Sequence, residues 1–228
     1  MRIASLFPVL LGLALTGWAG SPAAEPKSDP AAFCFAGPEI YPIDNFAAHL
    51  RAADLDGDGL TDLVIANNSR SKINLLYNQT GKTNRADTPA RRIRRELNEL
   101  PPDARFRIES IASEKRIAAL VVADLNGDRR PDLAYYGEPK ELVVQSNQGT
   151  NGWSSPKRWP IDDGQLSPNA LTFGDLNGDG RADLVLLGDN CLYWLAQNAD
   201  HTLAEPELLV YSGTVKSVQV LDINGDNR

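Results

Sequence analysis

Residues 54–63 read Asp54-Leu-Asp-Gly-Asp-Gly-Leu-Thr-Asp62-Leu, and this stretch decides the fold because it recurs along the chain. Further copies begin at Asp124, Asp175 and Asp222, and the fourth copy is incomplete. The copies follow one another at about 50 residues, with extra sequence in the first unit, and a period of this size indicates a repeat architecture. We call the copies loop 1 (54–62), loop 2 (124–132), loop 3 (175–183) and loop 4 (from 222).

Each complete loop lies between apolar runs of strand length. In the second unit, residues 118–123 precede the loop and residues 133–136 follow it, and two further runs occupy 142–145 and 153–159. Gly, Pro, Asn and Asp separate the runs, as they do at turns between strands. Four short strands in about 50 residues are typical of one β-propeller blade. The sequence therefore predicts an all-β fold, a partial β-propeller of four-stranded antiparallel blades.

The loops carry the spacing of a metal-binding turn. In loop 1, Asp54, Asp56, Asp58 and Asp62 take positions 1, 3, 5 and 9, and two glycines allow a tight turn. Converging carboxylates repel one another unless a cation lies among them, and Ca²⁺ takes six to eight oxygen ligands. The carbonyl at position 7 is a further candidate ligand, as in an EF-hand, and belongs to Leu60, Arg130 or Arg181. The alternative is an Asp/Asn-Gly hairpin turn without metal.

An EF-hand itself is excluded by two features of the loops. It needs an acidic residue at position 12 and a helix on each side. Position 12 is Ile65, Tyr135 or Leu186, and the flanking runs are strands.

The unit Ala-Asp-Leu-Asp/Asn-Gly-Asp-x-x-x-Asp-Leu, followed by a strand and an Asn-Gln turn, resembles the FG-GAP/VCBS-type repeat of integrin-α-like β-propellers. The resemblance covers about residues 46–228 and implies a Ca²⁺ in each intact loop, between the first two strands of a blade. The implied ligands are Asp54, Asp56, Asp58, Asp62, Asp124, Asn126, Asp128, Asp132, Asp175, Asn177, Asp179 and Asp183. Loop 4 offers Asp222, Asn224 and Asp226 but no acid at position 9.

The repeat divides the chain into units of about 46–116, 117–169, 170–216 and an incomplete 217–228, with an insertion at 83–102 in the first. Propellers of the resembled family usually close with about seven blades. An open arc leaves strand edges exposed. We therefore expect this chain to be a fragment of a longer protein or to need partners.

The beginning of the chain predicts export. Arg2 precedes an apolar run at residues 3–15 and small residues at 17–24, the order of a secretory signal peptide. Residues 1–24 are therefore predicted to be cleaved, with a secreted, periplasmic or cell-surface destination. Residues 25–45 are predicted to be a linker with a possible closing strand. No later segment is long and apolar enough to predict a membrane span.

The net charge, the cysteines and the absence of two catalytic motifs bear on which functions the sequence favours. A formal net charge of −7 argues against nucleic-acid binding, which needs a basic face. Two cysteines, Cys34 and Cys191, are candidates for one disulfide in an oxidising compartment, and two buried unpaired thiols are the alternative. The sequence contains neither a G-x-S-x-G nor an H-E-x-x-H motif.

These observations favour an exported, non-catalytic, calcium-binding module for adhesion or recognition of a protein or carbohydrate. The alternative is the propeller portion of a secreted polysaccharide-active enzyme, such as a lyase.

Overall fold

The computed structural model of the chain describes residues 40–82, 100 and 104–223. Within these residues, consecutive strands form three four-stranded antiparallel sheets. Blade 1 consists of β1 (Ala47–Ala53), β2 (Asp62–Asn67), β3 (Lys72–Asn78) and β4 (Phe106–Ala112). Blade 2 consists of β5 (Arg116–Ala123), β6 (Asp132–Glu138), β7 (Glu141–Gln145) and β8 (Lys157–Pro160). Blade 3 consists of β9 (Leu171–Gly174), β10 (Asp183–Leu187), β11 (Cys191–Leu195) and β12 (Glu207–Val210).

The three sheets confirm the predicted all-β architecture of four-stranded antiparallel blades. The described residues contain no α-helix, and the one helical element among them is a 3₁₀ turn at Gly149–Asn151. No helix in the described part of the chain has the length and apolar character to span a bilayer.

The core consists of two apolar layers, one between each pair of successive blades. Because alternate side chains of a strand point to opposite faces, Leu133 and Tyr135 of β6 face blade 1, while Ala134 and Tyr136 face blade 3. Both faces of β6 are therefore covered, which explains why this strand is a continuous apolar run.

Two strand boundaries differ from the sequence expectation. The fourth strand of blade 2 begins at Lys157, and Trp153 makes only an isolated bridge with Asn147. Pro156 precedes the strand and has no N–H to donate to a ladder. In blade 1 the fourth strand is β4, beyond the predicted insertion at 83–102, which lies outside the described residues apart from Leu100.

The first strands of successive blades are neighbours: β1 lies near β5, and β5 lies near β9. The segment after β12 continues this pattern. The Val218 N–H donates to the Asn169 carbonyl at 3.2 Å, and a Cβ on Gly174 would lie 2.5 Å from Val220 Cγ1. The described residues of the predicted fourth unit, 217–223, contain no strand.

Candidate metal-binding loops

Loops 1, 2 and 3 each connect the first strand of a blade to the second. The residue at position 9 of each loop, Asp62, Asp132 or Asp183, is the first residue of β2, β6 or β10. The fold therefore repeats one turn three times, at the same place in each blade.

The carboxylate at position 1 organises each turn. In loop 1, Asp54 Oδ1 accepts the N–H groups of Gly57 at 2.8 Å and Asp58 at 3.1 Å, and Oδ2 accepts that of Gly59 at 2.8 Å. Asp124 and Asp175 accept the equivalent N–H groups in their loops. These bonds lower the pKa of Asp175, with the Gly180 N–H the largest cause. Position 1 thus fixes the backbone in a tight turn.

Loop 1 brings three carboxylates together. Asp54, Asp56 and Asp58 each offer one oxygen, and these oxygens all lie within 4.8 Å of one another. Loops 2 and 3 have Asn126 and Asn177 at position 3, which leaves two acids in the same part of the turn. Loop 1 is therefore the most acidic of the three described turns.

A basic side chain contacts the position-5 carboxylate of every described loop. In loop 1, Lys82 Nζ lies 3.0 Å from Asp56 Oδ2 and also contacts Asp58 Oδ2. In loops 2 and 3 the cation is an arginine at position 7, with Arg130 Nη1 at 3.6 Å from Asp128 Oδ2 and Arg181 Nη2 at 2.5 Å from Asp179 Oδ2. Lys82 also lowers the pKa of Asp58, chiefly by a hydrogen bond.

The position-9 aspartates are buried, and main-chain N–H groups hold both of their oxygens. Asp132 Oδ2 accepts the Leu125 N–H at 3.1 Å, and its Oδ1 accepts the Asn147 N–H at 2.8 Å. Asp62 and Asp183 repeat this arrangement with Leu55 and Asn78, and with Leu176 and Gln197. Burial raises the pKa of Asp62, and it raises that of Asp132 to about 6. Position 9 ties its loop to the turn after the third strand.

The structure reveals an inter-blade contact that the sequence reasoning missed. Asn147 Nδ2 of blade 2 donates to the Leu55 carbonyl of loop 1 at 2.8 Å, and Gln197 Nε2 of blade 3 donates to the Asp124 carbonyl of loop 2 at 3.0 Å. His201 Nδ1 lies 2.6 Å from the Asn126 carbonyl oxygen. Each of these loops is therefore held by the following blade. The available signal was the pair of Asn and Gln residues after the third strand, which recurs as Asn78-Gln79, Asn147-Gln148 and Gln197-Asn198.

Three candidate site residues lie outside the described part of the chain: Asn224 and Asp226 of loop 4, and Cys34. Cys191 is buried, its Sγ lies 3.3 Å from Asp163 Oδ2, and burial raises the pKa of its thiol. The disulfide between Cys34 and Cys191 stays a prediction.

Comparison with known families finds two matching repeat families, over three segments of the chain. The FG-GAP-like repeat matches residues 124–186 and 175–228, and the FG-GAP repeat matches residues 46–82. The comparison with curated proteins finds no match. Among solved structures, a lectin of Agrocybe aegerita, described as recognising non-reducing terminal N-acetylglucosamine, is similar with a TM-score of 0.48 and 18% identity. That similarity covers 72% of this chain and 39% of the lectin chain.

Proposed function

The chain belongs to the FG-GAP repeat proteins, and from this premise we propose that it is an exported, calcium-binding propeller module that recognises a protein or carbohydrate without catalysing a reaction. The observation that carries the proposal is the group of three carboxylates in loop 1, within 4.8 Å of one another. The predicted signal peptide at residues 1–24 supports export, and those residues lie outside the described part of the chain.

The donor set of loop 1 fits a hard divalent cation. Asp54, Asp56 and Asp58 supply carboxylate oxygens. The Lys82 ammonium lies beside two of these carboxylates, where a metal cation would lie. Carboxylate oxygens are ligands that Ca²⁺ prefers, and a bound Ca²⁺ would supply positive charge and hold the loop in one conformation. Loops 2 and 3 offer an amide oxygen at position 3 and are expected to bind more weakly.

Different positions of each loop would have different roles in calcium binding. Position 1 would shape the turn through main-chain N–H groups and also offer an oxygen to the cation, together with positions 3 and 5. Position 9 would anchor the loop to its blade. Because Asn147 connects the Leu55 carbonyl of loop 1 to blade 2, a rigid loop 1 also steadies the contact between the two blades. A calcium-filled propeller would thus present a fixed surface to its ligand.

Thermal unfolding with and without Ca²⁺ tests the metal part of the proposal. A ligand that binds only the folded state stabilises it, and at 5 mM Ca²⁺ a site with a dissociation constant of roughly 10⁻⁴–10⁻³ M contributes about 1–2 kcal/mol. The matched variant is Asp56→Asn, because loops 2 and 3 carry Asn at this position. It should keep the fold and lose part of the stabilisation. The absence of any shift at 5 mM Ca²⁺ would overturn the calcium site.

Recognition is tested separately with labelled protein on carbohydrate and protein arrays, in Ca²⁺ and in EDTA. We expect binding that weakens when calcium is removed. Incubation with soluble polysaccharides, followed by detection of new chain ends, tests the non-catalytic part. Release of cleavage products by the purified chain would replace the proposal with the lyase alternative.

A further inference from the structure

We propose that Lys82 is a built-in counter-ion of loop 1, which competes with Ca²⁺ for the loop carboxylates and sets the affinity of the site. This inference rests on the proposed calcium function and adds a residue that controls it.

Lys82 reaches the acidic group from outside the loop. It lies after β3, in the turn that follows Asn78, and its Nζ is 3.0 Å from Asp56 Oδ2 and in contact with Asp58 Oδ2. A single cation therefore already bridges two of the three carboxylates.

A cation beside the position-5 carboxylate recurs in the other two described loops. In loops 2 and 3 the arginine at position 7 contacts the position-5 carboxylate, whereas position 7 of loop 1 is Leu60. The position-5 oxygen that faces the cation is Oδ2 in each case, and Oδ1 accepts the position-7 N–H. In loop 1 the positive charge therefore comes from Lys82 in the turn after β3, whereas in loops 2 and 3 it comes from an arginine of the loop itself.

The two cations compete because they use the same oxygens. Ca²⁺ that binds Asp56 and Asp58 must displace the ammonium, and the energy of those contacts is subtracted from the binding energy of the metal. In the calcium-free protein the ammonium reduces the repulsion among the carboxylates, so that the loop keeps its conformation. Lys82 would therefore lower the calcium affinity and preserve the fold when calcium is scarce.

The test is the substitution Lys82→Met in the full chain, with calcium binding measured by isothermal titration calorimetry. Removing two partly exposed ion contacts should tighten Ca²⁺ binding at loop 1 by about tenfold. The matched control is Lys140→Met, because Lys140 lies in the turn between β6 and β7 and its Nζ donates to the Asp162 carbonyl after β8, away from loop 1. Its calcium affinity should equal that of the wild type.

A second readout is the thermal midpoint of each variant in EDTA and in Ca²⁺. Lys82→Met should unfold at a lower temperature than the wild type in EDTA and gain more from calcium. Equal calcium affinity of the wild type and Lys82→Met would overturn the role of Lys82 and leave the calcium function standing. If no variant binds Ca²⁺ and none is stabilised by it, both the proposed function and this inference are wrong.

Discussion

Asn147 and Asn78 lie at equivalent positions, where the third strand of a blade meets the turn that follows it. Their substitution by alanine should nevertheless lower the free energy of unfolding by different amounts. The side chain of Asn147 is buried, its Nδ2 donates to the Leu55 carbonyl of loop 1 at 2.8 Å, and its Oδ1 accepts the Gly149 N–H at 2.9 Å. Asn78 Nδ2 donates to the Thr61 carbonyl at 3.1 Å, its Oδ1 accepts the Thr80 N–H at 3.0 Å, and both bonds are exposed.

The loss of unfolding free energy in each variant depends on which groups lose their hydrogen-bond partners. Asn147→Ala removes two hydrogen bonds and leaves the Leu55 carbonyl without its donor at a buried position, which together should cost about 2–3 kcal/mol. Asn78→Ala frees exposed groups that water can solvate, so its cost should stay below about 1 kcal/mol. In a domain of this size, the first value corresponds to a fall in the thermal midpoint of about 5–10 °C.

The assay is urea unfolding followed by tryptophan fluorescence, in EDTA so that metal binding does not contribute. Wild type, Asn147→Ala and Asn78→Ala are compared at the same pH and protein concentration. The reasoning is refuted if the two variants lose equal stability, because the contact between blade 2 and loop 1 would then contribute nothing measurable.

Two further predictions concern the turns and an ion pair. Gly127 and Gly57 both have positive φ. A Cβ on Gly127 would lie 3.1 Å from His201 Nδ1, whereas a Cβ on Gly57 would have no neighbouring atom of the described residues within 4 Å. Gly57→Ala should therefore cost about 1 kcal/mol and Gly127→Ala about 2–3 kcal/mol in thermal unfolding, and equal costs would contradict the inter-blade contact. Lys115, whose side chain is buried, lowers the pKa of Glu141 through a hydrogen bond of 3.0 Å. The stability from Glu141 is present above the unfolded value of 4.5 and is lost as the pH falls through the lowered folded pKa, so the urea midpoint of Glu141→Gln should fall less than that of the wild type between pH 5 and 3.

The role of position 9 shows what the spacing of the aspartates predicts and what it does not predict. The regular spacing of Asp54, Asp56, Asp58 and Asp62 predicted a common turn, and the structure gives that turn in three blades. It places the first three carboxylates in one group, and it holds Asp62 by the main-chain N–H groups of Leu55 and Asn78. The spacing could not reveal this second role, because the Asn78 N–H belongs to the end of β3, 16 residues from Asp62 along the chain.

The strand pattern was readable because it depends on local chemistry. Apolar runs of four to eight residues separated by Gly, Pro, Asn and Asp have few alternatives to strands and turns. The fourth strand of blade 1 was not recognised, since the insertion at 83–102 separates β4 from β3, and its register with residues 72–78 is set by pairing across the sheet.

The sequence by itself determined the repeated turn, the four-stranded unit and the acidity of loop 1, because each depends on residues close together along the chain. Tertiary structure decided which groups from distant parts of the chain meet that loop. Lys82 lies 26 residues from Asp56, and Asn147 lies 92 residues from Leu55. Their contacts depend on how a blade folds and how the next blade packs against it, and no local pattern encodes those distances.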